Sequence, residues 1–240
     1  MISVCVSSFN GEKFIKQQLD SILNQIGEND ELIISDDSSD DKTIEIIKNF
    51  KDPRIKLIEN CRFRSPIFNI ENALSRATGE YIFLSDQDDL WSENKVETTL
   101  SYLQEYSTVL SDCNLIDECG VQISPSFFKL NNSKPGLIHN LIKSSYVGCC
   151  MAFNRKILDL ALPFPKKIAM HDLWIGIISE LFGKPVFIPD KLISYRRHSS
   201  NFSPTSQVSR YSTWFKIQYR IQLIMLLMMR YFRTLIKPVE

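Results

Sequence analysis

The stretch Tyr81-Ile82-Phe83-Leu84-Ser85-Asp86-Gln87-Asp88-Asp89-Leu90-Trp91 joins an apolar run to three carboxylates within four residues. A short apolar run that follows a helical pattern closed by Gly79 reads as a buried strand. Its tip is acidic, and the fold follows from asking where such a tip lies. Upstream, Ile2 to Val6 is another strand without a polar face, the pattern of a sheet covered on both sides. Ser7 to Gly11 is a loop, and Ile15, Leu19, Ile22 and Leu23 recur at helical spacing, which predicts an amphipathic helix over Glu12 to Gln25. Glu31 to Ser35 and Ile55 to Glu59 read as strands, and Thr43 to Phe50 and Ile70 to Ala77 as helices. Such alternation predicts an α/β fold with a mostly parallel, Rossmann-like sheet flanked by helices. In open sheets of this kind ligands sit beyond the carboxyl ends of the strands. Ser7, Asp37 and Asp86 to Asp89 fall at three such ends, so the acidic tip is expected at a shared site.

Beyond Asp112 the pattern loosens. Cys113 to Tyr146 is polar, contains Pro125 and Pro135, and reads as a loop-rich insertion over a site. Strand character returns at Val147 to Phe153; Asp172 to Phe182 is helical with Gly183 as its stop, and Val186 to Ile188 and Leu192 to Tyr195 are short strands. The 240 residues, 44% hydrophobic and 23% charged, suffice for one large core. Lys plus Arg and Asp plus Glu each total 28, so nothing in the balance calls for nucleic acid as partner. The six cysteines form no CxxC pair and suit neither a zinc ribbon nor a disulfide scaffold, which fits a reduced, cytosolic setting. Strand-like residues from Ile2 leave no room for a signal peptide.

Asp86 and Asp88, one residue apart beyond a strand, can turn toward one divalent cation. Mg²⁺ and Mn²⁺ take oxygen ligands, commonly one or two carboxylates together with phosphate. The plain alternative is a solvated turn in which Asp89 caps the next helix. Asp36 to Asp41 is a second acidic loop; part of it serves as cap chemistry for the helix at Thr43, and Asp37 is the carboxylate suited to accept from a base or ribose. In Tyr195-Arg196-Arg197-His198 the arginines suit phosphate and His198 suits a metal; the alternative is a solvated basic turn.

Three stretches together, SVCVSSFNGEKFIKQQLDSIL, ELIISDDSSDDKT and NALSRATGEYIFLSDQDDLW, resemble the nucleotide-binding half of the family 2 glycosyltransferases of the GT-A fold. MHDLWI and LFGKPVFIPDKLISYRRHSSN resemble the acceptor half of a bacterial surface-polysaccharide, rhamnosyltransferase-like branch. The resemblance implies that Ser7 and Asp37 contact the base, that Asp86 lies near ribose and metal, that Asp88 ligates Mn²⁺ or Mg²⁺ on the diphosphate, and that Asp172 is the catalytic base. It implies an inverting transfer of a hexosyl or deoxyhexosyl unit from dTDP-rhamnose, UDP-galactose or UDP-glucose to a lipid-linked oligosaccharide, in O-antigen or capsular polysaccharide assembly. Asp172 also suits a helix N-cap, His171 suits local support, and Trp174 suits either an acceptor sugar or the core. Residues 1–112 are then the nucleotide-sugar half, 113–209 the acceptor half of the same domain, and 210–240 a basic aromatic helical tail.

From Arg210 to Val239 every charged residue is basic, and on a helix Lys216, Arg220, Arg230, Arg233 and Lys237 gather on one side. The central apolar run is shorter than the ~20 residues a span requires. The expectation is therefore a surface-lying helix on an anionic membrane, at the inner face of a bacterial cytoplasmic membrane; packing on the chain's own core or in a homodimer is the alternative. Two other functions compete with transfer. A sugar nucleotidyltransferase would need a Gly-rich basic loop after the first strand, where Ser7 to Gly11 has one glycine and no arginine. A non-catalytic sugar-binding assembly subunit would have no need of Asp86, Asp88 and Asp172.

Overall fold

The computed structural model describes residues 1–198 and 213–236, the side chains of Thr213, Phe215, Lys216, Arg233, Leu235 and Ile236 excepted. Strands β1 (Ile2–Ser8), β2 (Glu31–Asp36), β3 (Ile55–Ile58) and β4 (Tyr81–Asp86) pair in parallel in the order β3-β2-β1-β4. Helices α1 (Ile15–Leu23), α2 (Thr43–Asn49) and α3 (Pro66–Leu74) connect them. The order reverses between β1 and β4, which opens a crevice at their carboxyl ends. Ser7 pairs there with Asp86 across that gap, and Ser8 with Asp36 on the other side.

The sheet continues through antiparallel β8 (Met151–Asn154) to β6 (Thr108–Ile116), then β9 (Pro185–Arg196) parallel to β6, and ends on β5 (Leu90–Trp91). Strand β7 (Gln122–Ser124) pairs beside β6. The parallel registers are the long ones, and β6 and β9 run in the same sense as β4. The carboxyl end of β9 therefore arrives at the same edge as that of β4. The division after Asp112 falls inside β6, so both halves of the chain share one sheet.

Burial explains the central strands. Val4, Val6, Leu32, Ile33, Ile34, Ile82 and Phe83 are all excluded from solvent, with α1, α4 (Lys95–Leu103) and α3 covering the faces. Gly79 has to be glycine: a Cβ there would lie 2.7 Å from the Ser3 backbone nitrogen. Helices α7 (Arg155–Ala161) and α8 (His171–Phe182) pack together behind β8.

Three expectations are corrected. Helix α3 begins at Pro66, four residues before Ile70, because proline at the first helical position loses no hydrogen bond. The loop-rich stretch Cys113 to Tyr146 holds more regular structure than expected: β6 extends to Ile116, and β7, α5 (Phe127–Asn131) and α6 (Leu137–Ile142) follow. The two short strands after Gly183 are one strand whose register jumps from Ser111 opposite Ile188 to Asp112 opposite Lys191. Pro189, with no N–H to donate, and Asp190 fall in that jump. Helix α9 (Thr213–Ile236) lies against the domain through Leu223 and Leu227.

Candidate active site

The loop after β4 is held from both sides. Gln87 clasps the loop after β1, its Oε1 accepting from Phe9 N at 2.9 Å and its Nε2 donating to Phe9 O at 3.0 Å. On the other side Arg196 N donates to Asp89 Oδ1 at 2.8 Å, and Arg196 Nε to Asp88 O at 2.9 Å. The Arg196 guanidinium lies 4.6 Å from the Phe14 ring centre and also donates to Glu118 O. It is buried among carbonyls, so the expectation that it binds phosphate is replaced by a role in fixing the Asp88 loop.

With the loop so held, Asp88 Oδ2 lies 2.7 Å from His198 Nε2, whose ring packs 5.1 Å from that of Phe14. Asp86 stands beside them; burial, then the charges of Asp88 and Asp172, push its carboxyl up to about 7. Asp89 is driven well above the usual carboxylate range by burial and by Asp88 and Asp86. It does not cap the next helix, whose cap position is Asn94.

Four carboxylates, Asp86, Asp88, Asp89 and Asp172, thus crowd one edge of the sheet, and a cation joining them would offset their mutual repulsion. Of the three expected ligands the structure brings Asp88 and His198 into direct contact, while Asp86 groups more closely with Asp89; carboxylate oxygens and one imidazole nitrogen are donors that Mn²⁺ or Mg²⁺ can take. Asp86, Asp89 and Cys149 also place ligand atoms within 4.8 Å of one another. The Cys149 thiol is held well above its usual value by hydrogen bonding to Cys150 and by burial, and a soft sulfur is a poorer match than carboxylate oxygen for a hard cation. Behind this trio the buried Lys95 donates to Cys149 O at 3.2 Å and sits 5.0 Å from the Trp91 ring centre.

Asp172 reaches the same edge from α8. Met170 takes the cap position of that helix, so Asp172 is in its first turn and its Oδ1 accepts from Leu173 N at 2.6 Å. Burial nevertheless raises its carboxyl to about 6, against the favourable backbone N–H groups of Leu173 and Gly148. His171 is pushed down to about 4 by burial and is therefore neutral near pH 7. Its Nδ1 is buried without a hydrogen-bond partner among the described residues. Gly148 keeps the close approach open, since a Cβ there would lie 3.0 Å from His171 Nε2.

Trp174 does not face this site. It is fully buried, its indole N–H donates to Ala161 O at 2.9 Å, and the Arg230 guanidinium lies 5.5 Å from its ring centre. Of the two readings of this residue, core filling is the one realised: Leu173, Trp174, Ile175, Ile177 and Ile178 make α8 apolar nearly all round, as in a buried helix. Asp37 accepts from Phe63 N at 2.6 Å and Ser65 N at 3.2 Å, so it shapes the loop before α3. Each oxygen keeps acceptor capacity for a ligand. Its neighbour Asp36 is buried and bound to Ser8 and Ser39, while Asp41, just before the cap position Lys42, accepts from Thr43 N at 2.9 Å at the start of α2.

Known proteins share this architecture. TarS of S. aureus, solved in complex with UDP-GlcNAc, superposes with a TM-score of 0.72 at 19% identity, over 93% of this chain and 66% of that one. The mannosyltransferase PcManGT from Pyrobaculum calidifontis, solved with GDP-Man and Mn²⁺, gives 0.62 at 20% identity, over 85% of this chain and 58% of that one. Both likenesses speak for the GT-A fold alone. In sequence, the Escherichia coli protein WfaP, a UDP-Glc:alpha-D-GlcNAc-diphosphoundecaprenol beta-1,3-glucosyltransferase, is 30% identical over 186 residues, 75% of this chain and 71% of its own length. Residues 3–160, more than half of the chain and including the whole clasped loop of Asp86 to Asp89, match the pattern of Glycosyl transferase family 2, and the chain is a member of that family.

Proposed function

We propose that the enzyme transfers a hexosyl unit from a nucleoside diphosphate sugar to a lipid-linked saccharide during bacterial surface-polysaccharide assembly, inverting the anomeric centre in one displacement. The observation that carries this reading is the approach of Asp88 Oδ2 to His198 Nε2, 2.7 Å, on the edge where Asp86 and Asp172 converge. Ser7 and Asp37 receive the base and ribose, Asp86 sits between ribose and diphosphate, and Asp172 takes the proton of the attacking hydroxyl. A new C–O bond forms at the anomeric carbon as the bond to the diphosphate breaks, and no covalent enzyme intermediate is needed. Asp88, His198 and Asp86 would hold Mn²⁺ or Mg²⁺, which supplies Lewis-acid neutralisation of the departing diphosphate.

A UDP-sugar is the favoured donor class, because WfaP is a UDP-Glc glucosyltransferase and TarS was solved with UDP-GlcNAc. The diphosphoundecaprenol acceptor of WfaP supports a lipid-linked acceptor here, and with it a place at the cytoplasmic face of the membrane. Residues 1–112 would bind the donor and 113–209 the acceptor. Isothermal titration with UDP and with dTDP, each with Mn²⁺ and after chelation, tests the proposal: metal-dependent binding of one nucleotide is expected. Binding of neither by folded protein would refute it.

A further inference from the structure

Helix α9 presents its apolar side outward. Trp214, Ile217, Ile221, Met225, Met228 and Phe232 recur every three or four residues and are all exposed, Ile221 at 53% and Met228 at 50%. Leu223 and Leu227, on the opposite side, are buried. From Trp214 to Phe232 the six form one stripe ~27 Å long. Ile138 and Ile142, one turn apart on α6, are likewise exposed. They adjoin α9, because Arg220 Nε donates to Leu141 O at 3.0 Å and its Nη2 to Ile142 O. An exposed apolar surface of this extent marks a partner.

Charge identifies the partner. Every charged residue of Thr213–Ile236 is basic, although Arg220 and Arg230 are engaged by carbonyls of the domain, so the charge beside the stripe comes from its neighbours. The segments bonded to α9 add exposed lysines: Lys143 follows Ile142, and Lys167 O accepts from Gln222 Nε2 at 2.9 Å. The spacing of the stripe would also suit a seam between two copies. A two-fold pairing would, however, set the lysines beside one copy's stripe against those beside the other's. An anionic lipid surface complements both the stripe and its basic margins. The helix also leads directly to the site, for Tyr219 Oη accepts from Ala169 N at 3.2 Å, two residues before His171.

We infer that α9, with Ile138 and Ile142 of α6, is a membrane seat that lies flat in an anionic bilayer surface and holds the Asp172 end of the site beside the lipid that anchors the acceptor. The inference rests on the lipid-linked acceptor proposed above. Among the described residues no helix is long and apolar enough to cross a membrane, which fits a helix lying in the surface.

The test pellets the full chain with sucrose-loaded vesicles of phosphatidylcholine, with and without phosphatidylglycerol. Wild type is expected to pellet with the phosphatidylglycerol vesicles. The variant Ile221→Glu, Met225→Glu, Met228→Glu should partition ~100-fold less well, and Lys143→Gln with Lys167→Gln should lose ~5-fold per charge on anionic vesicles alone. The replaced side chains are exposed, so melting by circular dichroism should stay at the wild-type temperature. UDP binding in solution should survive in the triple variant, so a failure of the seat is distinguishable from a failure of the donor site. Wild type that stays in the supernatant with both vesicles overturns the inference, as does equal binding to neutral vesicles for its charge component. A dimer in sedimentation equilibrium that the triple variant dissolves would make the stripe a seam between copies and overturn the seat.

Discussion

Replacing Asp172 by Asn separates catalysis from structure at one residue. Burial lifts this carboxyl from 3.8 to about 6 in the folded chain. A carboxyl whose folded value is raised binds its proton more tightly in the native state, so stability is greatest below the unfolded value and falls as pH rises through about 6. Two pH units correspond to about 3 kcal/mol at most. Asn removes the ionisation but buries an NH₂, costing about 1 kcal/mol, which leaves a net stabilisation of about 1–2 kcal/mol at pH 8 and none at pH 4. Its Oδ1 can still accept from Leu173 N. For a chain of this size the gain at pH 8 should raise the melting temperature by roughly 2–8 °C.

The opposite sign follows if the carboxylate only serves the N-terminus of α8, where its loss would cost about 0.3–1 kcal/mol. Thermal melts at pH 4, 6 and 8 without divalent cation decide between the two. Transfer kinetics add the second arm: the wild-type kcat/KM should rise with pH through a limb that includes Asp172 near 6, while Asp172→Asn should lose ~10²–10⁴-fold in rate together with that part of the limb. A variant less stable than wild type at pH 8, or one as active as wild type, refutes the reasoning.

Asp88→Ala should abolish Mn²⁺-dependent UDP binding in titration calorimetry, and His198→Ala should weaken it at least about tenfold, the worth of one contact to a charged group. Trp174→Phe should destabilise the chain by about 1–3 kcal/mol in denaturant melts, through loss of the bond to Ala161 O and of the Arg230 contact, while leaving the acceptor KM unchanged. Gly176→Ala should cost about 1–3 kcal/mol despite the better helix propensity, because its Cβ would overlap the Tyr146 ring.

Local patterning carried the first half of the fold, because each of its strands and helices is written in contiguous residues and each strand ends where a ligand would sit. Ser7, Asp37 and Asp86 could be placed from those ends alone. What escaped depends on pairings between distant segments. Gln87 carries no local signal that it will clasp Phe9, 78 residues away, and Arg196 reads as a phosphate ligand until β9 runs beside β6 and brings it under Asp88, 108 residues away. The jump at Pro189 hid that strand by splitting it into two short apolar runs. Trp174 looked equally suited to a sugar and to the core, because an aromatic residue two positions after Asp172 says nothing about which way the helix turns.

The last helix shows the same limit most sharply. Its basic side was expected to meet lipid, yet Arg220 donates to the carbonyls of Leu141 and Ile142, and Arg230 to those of Leu160, Leu162 and Pro163. The side chains of Lys216 and Arg233, and Lys237 as a whole, lie outside the described residues. Carbonyls at the ends of α6 and α7 are unsatisfied within their own helices and carry the negative pole of the helix dipole. A guanidinium with several donors answers both needs better than water does, so these two arginines face inward and turn the Ile and Met side of α9 outward. Sequence periodicity identified two unlike sides of this helix correctly; only the positions of carbonyls some 60 to 80 residues upstream decided which side would be covered.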